Sequence, residues 1–551
     1  MANAFTKTAA IAVAAGLTLA GSAGIATDAI AQTTPATDTA AQPAVATSAP
    51  GAASIESGKA YTLTINKRVN PTELRPANGE ADTDAAKLSQ PLNGATFQIE
   101  RLQGDIKKQA TYNALVKKAN AYNKSHAESD LPDKDKNFKP VTAKTAGQGQ
   151  AVFSSLEAGA YLVTETETPT PTGKEVYVRA QPFIVFVPMT NSAGDAWTKN
   201  VQVYPKNSMA RVSKKVEDKN VHAQDDARKG GNSTIKYELE GVVPAAPEGK
   251  VLKNLTLTDA SKSDELKWDF TGNGLIEKVE RVYTDKNGQE STSEITQGYR
   301  VVKGGTPKQD KDLAAGADQS FRVIIDDPAS VGLKANDKVR VTVKATLLQD
   351  NDQQIENSVN EGFFFREPGQ AVDDEDEPDG ETPNDKVISY IGNINVLKVD
   401  SSNEKEKLAG AKFELYRCDA PDSIIQKGET GADGNLSFTG LHVTDWEDGA
   451  APEKNFEYCL KETEAPEGYV LPKGEAAVTK FTLTREDLAT AGEGEDAVTV
   501  RQVSKTIKNT PDSGVPLLPN TGGMGVLIIV LAGLAIIGGG VYAARRNSQS
   551  A

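Results

Sequence analysis

The side chains that most often build metal centres and nucleophilic pairs are scarce in this chain. It has two cysteines, Cys418 and Cys459, and three histidines, His126, His222 and His442, in 551 residues. The histidines lie far apart without ligand spacing, so a zinc site and a Cys/His catalytic pair are excluded, no metal or cofactor is expected, and all three read as surface residues. No nucleophile–His–acid arrangement supports an enzyme. Both cysteines fall in one C-terminal segment, and in an exported protein such a pair favours a disulfide worth roughly 3–4 kcal/mol. The net charge of −15 argues against a nucleic-acid groove, which needs a basic face. The acidic run AVDDEDEPDGETPNDK, residues 371–386, lacks the glycine-centred spacing that organises carboxylates around calcium and reads as a solvated linker.

The ends of the chain indicate export. Lys7 precedes the apolar stretch AAIAVAAGLTLAG, and Ala29-Ile30-Ala31 offers small residues for cleavage, so residues 1–31 read as a secretory signal. Residues 526–544 carry no charge and are long enough to cross a bilayer. Arg545 and Arg546 follow and place the short tail inside, with everything before the span outside.

Between these ends the texture is that of strands. KVRVTVKATLL, 338–348, puts Val339, Val341, Val343, Ala345 and Leu347 on one face, the period of a half-buried strand. Short strands punctuated by Gly, Asn and Asp predict an all-β chain of three tandem immunoglobulin-like β-sandwiches. One helical pattern, 111–124, presents Tyr112, Leu115, Val116 and Ala119 on one side. The Ala/Thr/Pro-rich stretch 32–55 reads as a disordered leader. The expected domains are then 56–207, 208–370 and 387–511, with the acidic linker before the third and a sorting segment at 512–551. LNGATFQIERL (92–102) resembles LAGAKFELYRC (408–418), and GAYLVTETETPTPTG (159–173) resembles EYCLKETEAPEGY (457–469), so the first and third domains are versions of one module.

The pentapeptide Leu518-Pro519-Asn520-Thr521-Gly522, followed by the apolar span and basic tail, resembles the cell-wall sorting signal of Gram-positive surface proteins. WTKNVQVYPKN, 197–207, resembles the pilin motif of sortase-assembled fimbrial shaft subunits, a likeness that extends over essentially the whole chain. The resemblance implies that a pilin-specific sortase cleaves between Thr521 and Gly522. The amine of Lys206 on another subunit would then attack the resulting thioester. The ammonium of a solvent-exposed lysine is mostly protonated near neutral pH, so the sortase would have to supply orientation and a base.

YCLKETEAPEGY resembles the E-box of the same family, whose glutamate promotes an intramolecular Lys–Asn isopeptide bond. The resemblance assigns Glu462, Lys398 and Asn509 in the third domain, and Lys67, Glu165 and Asn207 in the first. In the middle domain it implies an aspartate, Asp259, with Lys214 or Lys215 and Asn357 or Asn360. Strand alternation selects Lys214, which shares a face with Val212 and Val216, and Asn357, which shares one with Ile355 and Val359. The function implied is a secreted, covalently polymerised fimbrial shaft subunit of the cell wall that supports adhesion. Its partners would be the sortase, identical subunits, tip or accessory pilins, peptidoglycan, and a host or bacterial surface ligand. A singly anchored adhesin would use the same sorting signal and sandwiches but would not need Lys206.

Overall fold

The computed structural model describes residues 50–512, apart from 73–77, 85–88, 224–232, 273, 305–312, 349–353, 374–375 and 492–497. The signal segment, the Leu518–Gly522 pentapeptide and the apolar span 526–544 lie outside the described residues. Among those that are described, no helix is long and apolar enough to cross a membrane.

Alternating apolar residues between Tyr61 and Val203 build two sheets around one core. The first sheet has the order Asn200–Val203, Tyr61–Asn66, Gln150–Leu156. Its central strand runs parallel to one neighbour, with Leu63 opposite Val201, and antiparallel to the other, with Asn66 opposite Gln150. The second is antiparallel, in the order Val141–Lys144, Thr96–Arg101, Gly159–Glu167, Phe183–Val187. Leu63, Ile65, Phe97, Ile99, Val163 and Phe186 meet in its interior. The helical pattern forms the helix Gln109–Ser125, which buries Leu115, Ala119 and Tyr122. Asn123 pins it to the sheet, donating to the Ile184 carbonyl at 3.0 Å and accepting from the Ile184 amide at 2.7 Å. Residues 50–55 belong to this fold, contrary to the disordered leader expected: Ile55 enters the core, and the Ala52 amide donates to Gln109 Oε1 at 3.0 Å. A single isoleucine in an Ala/Pro-rich stretch was too weak a signal to mark that boundary.

The boundary expected near residues 204–207 falls at the start of one long strand, Lys206–Glu217. Its first part pairs with Glu175–Val178, placing Ser208 opposite Val178, and its second part pairs with Thr234–Val242, placing Lys214 opposite Leu239. The Lys338–Leu347 strand joins this sheet and buries the five alternating residues its sequence marks. A second sheet of the same region orders Tyr299–Lys303, Gln319–Asp326, Val251–Ser261 and Gln354–Arg366. Together they enclose Val212, Tyr237, Leu257, Phe321, Val341 and Val359.

The acidic stretch 371–386 is not a solvated linker where it is described. Gly380–Glu381 pairs with Gly362 and Phe363, Arg366 binds Asp376 at 2.9 Å and Asp379 at 3.2 Å, and Thr382 and Asn384 are buried. One arginine thus draws two of its carboxylates back onto the sheet. Two histidines also differ from expectation. His222 is 5% and His442 1% exposed. His442 Nε2 lies 3.3 Å from Asp218 Oδ2, which also accepts a 2.6 Å bond from Ser389, and the His442 backbone amide donates to His222 Nδ1 at 3.2 Å. His126 is half-buried, its ring against the Pro182 carbonyl at 3.1 Å. Isolated polar residues in loop-like contexts gave no periodicity from which this burial could be read.

Residues Asn395–Phe438, Tyr458–Phe481 and 504–512 form a second compact unit. Its sheet is antiparallel, in the order Ile424–Glu429, Lys412–Arg417, Tyr458–Glu464, Val478–Phe481. Cys418 and Cys459 form the expected disulfide, with Cα atoms 5.0 Å apart. The segments 439–457, 482–491 and 498–503 group with the first unit.

Candidate functional site

Three buried lysine–acid–asparagine clusters recur along the chain. In the second unit Lys398 Nζ lies 2.9 Å from Glu462 Oε2 and 2.5 Å from Asn509 Oδ1, and Asn509 Nδ2 donates to Glu462 Oε1 at 2.6 Å. In the first sandwich Lys67 Nζ donates to Glu165 Oε2 at 2.8 Å and Asn207 Nδ2 to Glu165 Oε1 at 2.8 Å. The Ala180 amide also donates to Glu165 Oε2, at 2.9 Å. In the middle region Lys214 Nζ meets Asp259 Oδ2 at 2.5 Å. The Asn357 carboxamide favours the anionic forms of Asp259 and Tyr237, but neither its polar atoms nor Asp259 Oδ1 completes a hydrogen bond. The side chains of all three lysines are fully buried.

The repeat seen in the sequence positions two of these lysines in the same way. The Lys67 amide donates to the Gly149 carbonyl and its carbonyl accepts from Leu92; Lys398 does the same with Gly434 and Leu408. Both glycines have positive φ, +76° and +73°, and a Cβ there would stand 2.5 Å from the Lys67 carbonyl oxygen or 2.6 Å from that of Lys398. Only glycine permits that approach. Thr145 and Thr430 complete the clamp, each accepting from the amide of a buried alanine, Ala95 or Ala411, at 3.0 Å. Sequence reasoning missed these residues, although TAGQGQ (145–150) against TGADGN (430–435) carries the signal.

In the middle region alternation had to choose between neighbours. Lys214 points inward, whereas Lys215 is exposed and pairs with Glu238 at 2.8 Å. Asn357 is buried in the cluster, whereas Asn360 is half-exposed and donates to Glu381 at 2.7 Å.

Burial governs the electrostatics. It pushes the amines of Lys67, Lys214 and Lys398 below the ordinary lysine range, against the charge of the paired acid in each case. It also raises the Asp259 carboxyl above its usual range, with Lys214 opposing. Both shifts favour the uncharged amine and the protonated acid. A neutral amine held against a carboxamide, with a carboxyl group at hand to move protons, can attack that carbonyl and expel ammonia.

Lys206 opens the Lys206–Glu217 strand and pairs with Arg68 in a parallel bridge, while Asn207 beside it closes the first cluster. Its side chain is not the exposed one expected. The residue is 8% exposed, and burial lowers the amine's pKa against the charges of Glu248 and Asp82. YPKN reads as a strand end; the pairing of this segment with residues distant in sequence is what encloses it. Thr521 and the rest of the pentapeptide lie outside the described residues. Among the described residues, no group of His, Cys, Asp and Glu could hold a metal ion.

Comparison with known proteins gives two family matches. Residues 58–208 match the N-terminal domain D1 of Gram-positive pilin subunits, and residues 392–493 match the SpaA prealbumin-like fold domain. The chain is 26% identical over 520 residues to fimbrial subunit type 2 of Actinomyces naeslundii, covering 86% of this chain and 87% of that one. It is 25% identical over 547 residues to fimbrial subunit type 1 of Actinomyces viscosus, covering 92% and 94%. The full-length major pilin SpaD of Corynebacterium diphtheriae superposes with a TM-score of 0.58 at 26% identity, covering 84% of this chain and 99% of SpaD.

Proposed function

Since the chain belongs to the major pilins that form the fimbriae of Gram-positive bacteria, we propose that it is joined head to tail by a pilin-specific sortase, through an amide bond between Thr521 of one subunit and Lys206 of the next. The sortase cysteine cleaves after Thr521 and holds its carbonyl as a thioester. Lys206 Nζ attacks that carbonyl, the amide forms, and the thiolate leaves. A partly desolvated amine with a lowered pKa is deprotonated more often than a surface lysine, so less of the activation falls to the sortase. The apolar span 526–544 holds the precursor at the membrane until cleavage, and the finished fibre is attached to peptidoglycan.

Within each subunit, the amine of Lys67, Lys214 and Lys398 joins the carboxamide of Asn207, Asn357 and Asn509, with Glu165, Asp259 and Glu462 handling the protons. The single observation that carries this reading is the recurrence of three fully buried lysines, each in contact with an acid that faces an asparagine. A buried ion pair contributes little net stability for its desolvation cost, so three of them are poorly explained as stabilising contacts alone. Covalent bonds at these places would hold each sandwich closed while the fibre carries tension. Lys206→Ala tests the intermolecular bond: the high-mass ladder of wall extracts on denaturing gels should collapse to the monomer. A ladder that persists removes Lys206 from the account.

A further inference from the structure

The three clusters differ in one respect that the proposed bonds alone do not explain. In two of them a glutamate bridges amine and carboxamide: Glu462 at 2.9 and 2.6 Å, Glu165 at 2.8 and 2.8 Å. The aspartate of the middle cluster is one methylene shorter. It holds Lys214 at 2.5 Å, but its Oδ1 and both polar atoms of Asn357 are left without a completed hydrogen bond. The aromatic ring under each amine differs as well. Lys67 lies over Phe97 at 5.3 Å and Lys398 over Phe413 at 5.7 Å, whereas Lys214 lies over Tyr237 at 4.9 Å. Thus where the acid is shorter, the ring under the amine carries a hydroxyl, and that buried hydroxyl, like the polar atoms of Asn357, is left without a completed hydrogen bond.

We propose that Tyr237 is a third catalytic group of the middle cluster, its hydroxyl donating to the Asn357 carbonyl oxygen and so holding from the oxygen side a carboxamide that glutamate, accepting from Nδ2, holds in the other two clusters. This rests on the reading that Lys214 and Asn357 become joined. Tyr237 is 1% exposed, and its hydroxyl completes no hydrogen bond among the described residues. Burial pushes its pKa well above the ordinary tyrosine range, with the charges of Asp259, Asp218 and Glu265 adding to the shift and Asn357 opposing it, so it stays a proton donor.

In the reaction Lys214 gives a proton to Asp259 and its neutral Nζ attacks Asn357 Cγ. The carbonyl electrons move onto Oδ1, where the Tyr237 O–H donates and keeps its proton. Asp259 then passes its proton to Nδ2 and takes one from Nζ. The Cγ–Nδ2 bond breaks, ammonia leaves, and the carbonyl re-forms with one new Nζ–Cγ bond. A donor aimed at developing oxyanion charge contributes about 100-fold or more in rate.

The test is a time course of full-length chain synthesised in vitro, digested with trypsin and weighed for the Lys214 peptide joined to the Asn357 peptide. Tyr237→Phe removes one oxygen and leaves the ring that the other clusters use. It should slow joining about 100-fold, while Lys398–Asn509 joining in the same molecules keeps its rate. Adding Asp259→Glu to that variant, which restores the longer acid, should recover most of the loss. A variant whose middle region had merely misfolded would not be recovered this way. Equal rates in wild type and Tyr237→Phe overturn the role of Tyr237 while leaving the bond itself in place, and so does a double variant as slow as the single one. Wild-type chain that never yields the joined peptide overturns the underlying reading together with this one.

Discussion

Asn509→Ala in the second unit removes one end of the proposed bond and keeps the Lys398–Glu462 ion pair at 2.9 Å, so the perturbation isolates the cross-link. The two ends stand 111 residues apart. Treated as a chain-entropy constraint like a disulfide, closing a loop of that length stabilises by about 5 kcal/mol at 25 °C. Losing the Asn509 contact to Glu462 adds about 1 kcal/mol. For a module of about 125 residues, 5–6 kcal/mol corresponds to a fall in Tm of roughly 20 °C. The assay is differential scanning calorimetry alongside intact mass: the variant should lose the 17 Da deficit of one expelled ammonia (about 17 by stoichiometry) and its C-terminal transition should move down by that interval. A variant that melts within about 3 °C of wild type, or a wild type with no mass deficit in this module, would refute the reasoning.

Replacing Cys418 and Cys459 together by serine opens a loop with a sequence separation of 41. It should cost about 4 kcal/mol in the same transition, and an unchanged calorimetric midpoint would show that the disulfide adds nothing beyond the isopeptide bond. For His442, burial works to lower the pKa, but the hydrogen bond and charge of Asp218 outweigh it and hold the imidazole above its ordinary value. A raised folded-state pKa gives stability that is complete below the unfolded pKa and is lost as pH rises through the folded value. Wild type should therefore exceed His442→Gln in Tm most clearly near pH 6 (about the reference histidine value), with the gap narrowing in alkaline buffer; a gap that widens with pH contradicts the assignment. Gly434→Ala should lower the yield of the Lys398–Asn509 cross-link, because the added Cβ would stand 2.6 Å from the Lys398 carbonyl oxygen and displace the strand that carries the amine. Peptide mapping that finds full cross-linking in this variant would remove the glycine's positioning role.

The strand-rich architecture was legible because alternation is a direct consequence of a pleated chain with one buried face, as in Val339, Val341 and Val343. The same alternation separated Lys214 from Lys215 and Asn357 from Asn360. The internal repeat marked the Thr96–Arg101 and Lys412–Arg417 strands, but the threonines and glycines that clamp the lysines sit in turns, where single residues carry no period. Burial of Lys206, of His222 and of His442 was invisible for a different reason. Each is enclosed by segments far away in sequence, Arg68 against Lys206 and Asp218 against His442, and no local pattern encodes such a partner. The acidic stretch misled through composition alone: counting its charges did not reveal that Arg366 would neutralise two of them on the sheet. Tyr237 alternates with Ile235 and Leu239 as any inward-facing strand aromatic would, and only its position under Lys214 and its hydroxyl set it apart from Phe97 and Phe413.

The central claim is that one subunit's Lys206 ends up bonded to another's Thr521. Fibres released from the wall by muramidase and digested with trypsin should contain a branched peptide in which the Lys206 Nζ carries the C-terminal segment ending at Thr521, in nearly every subunit of the high-mass fraction. Recovery of the Lys206 peptide unbranched from that fraction, or of Thr521 joined to a different amine, would contradict the account.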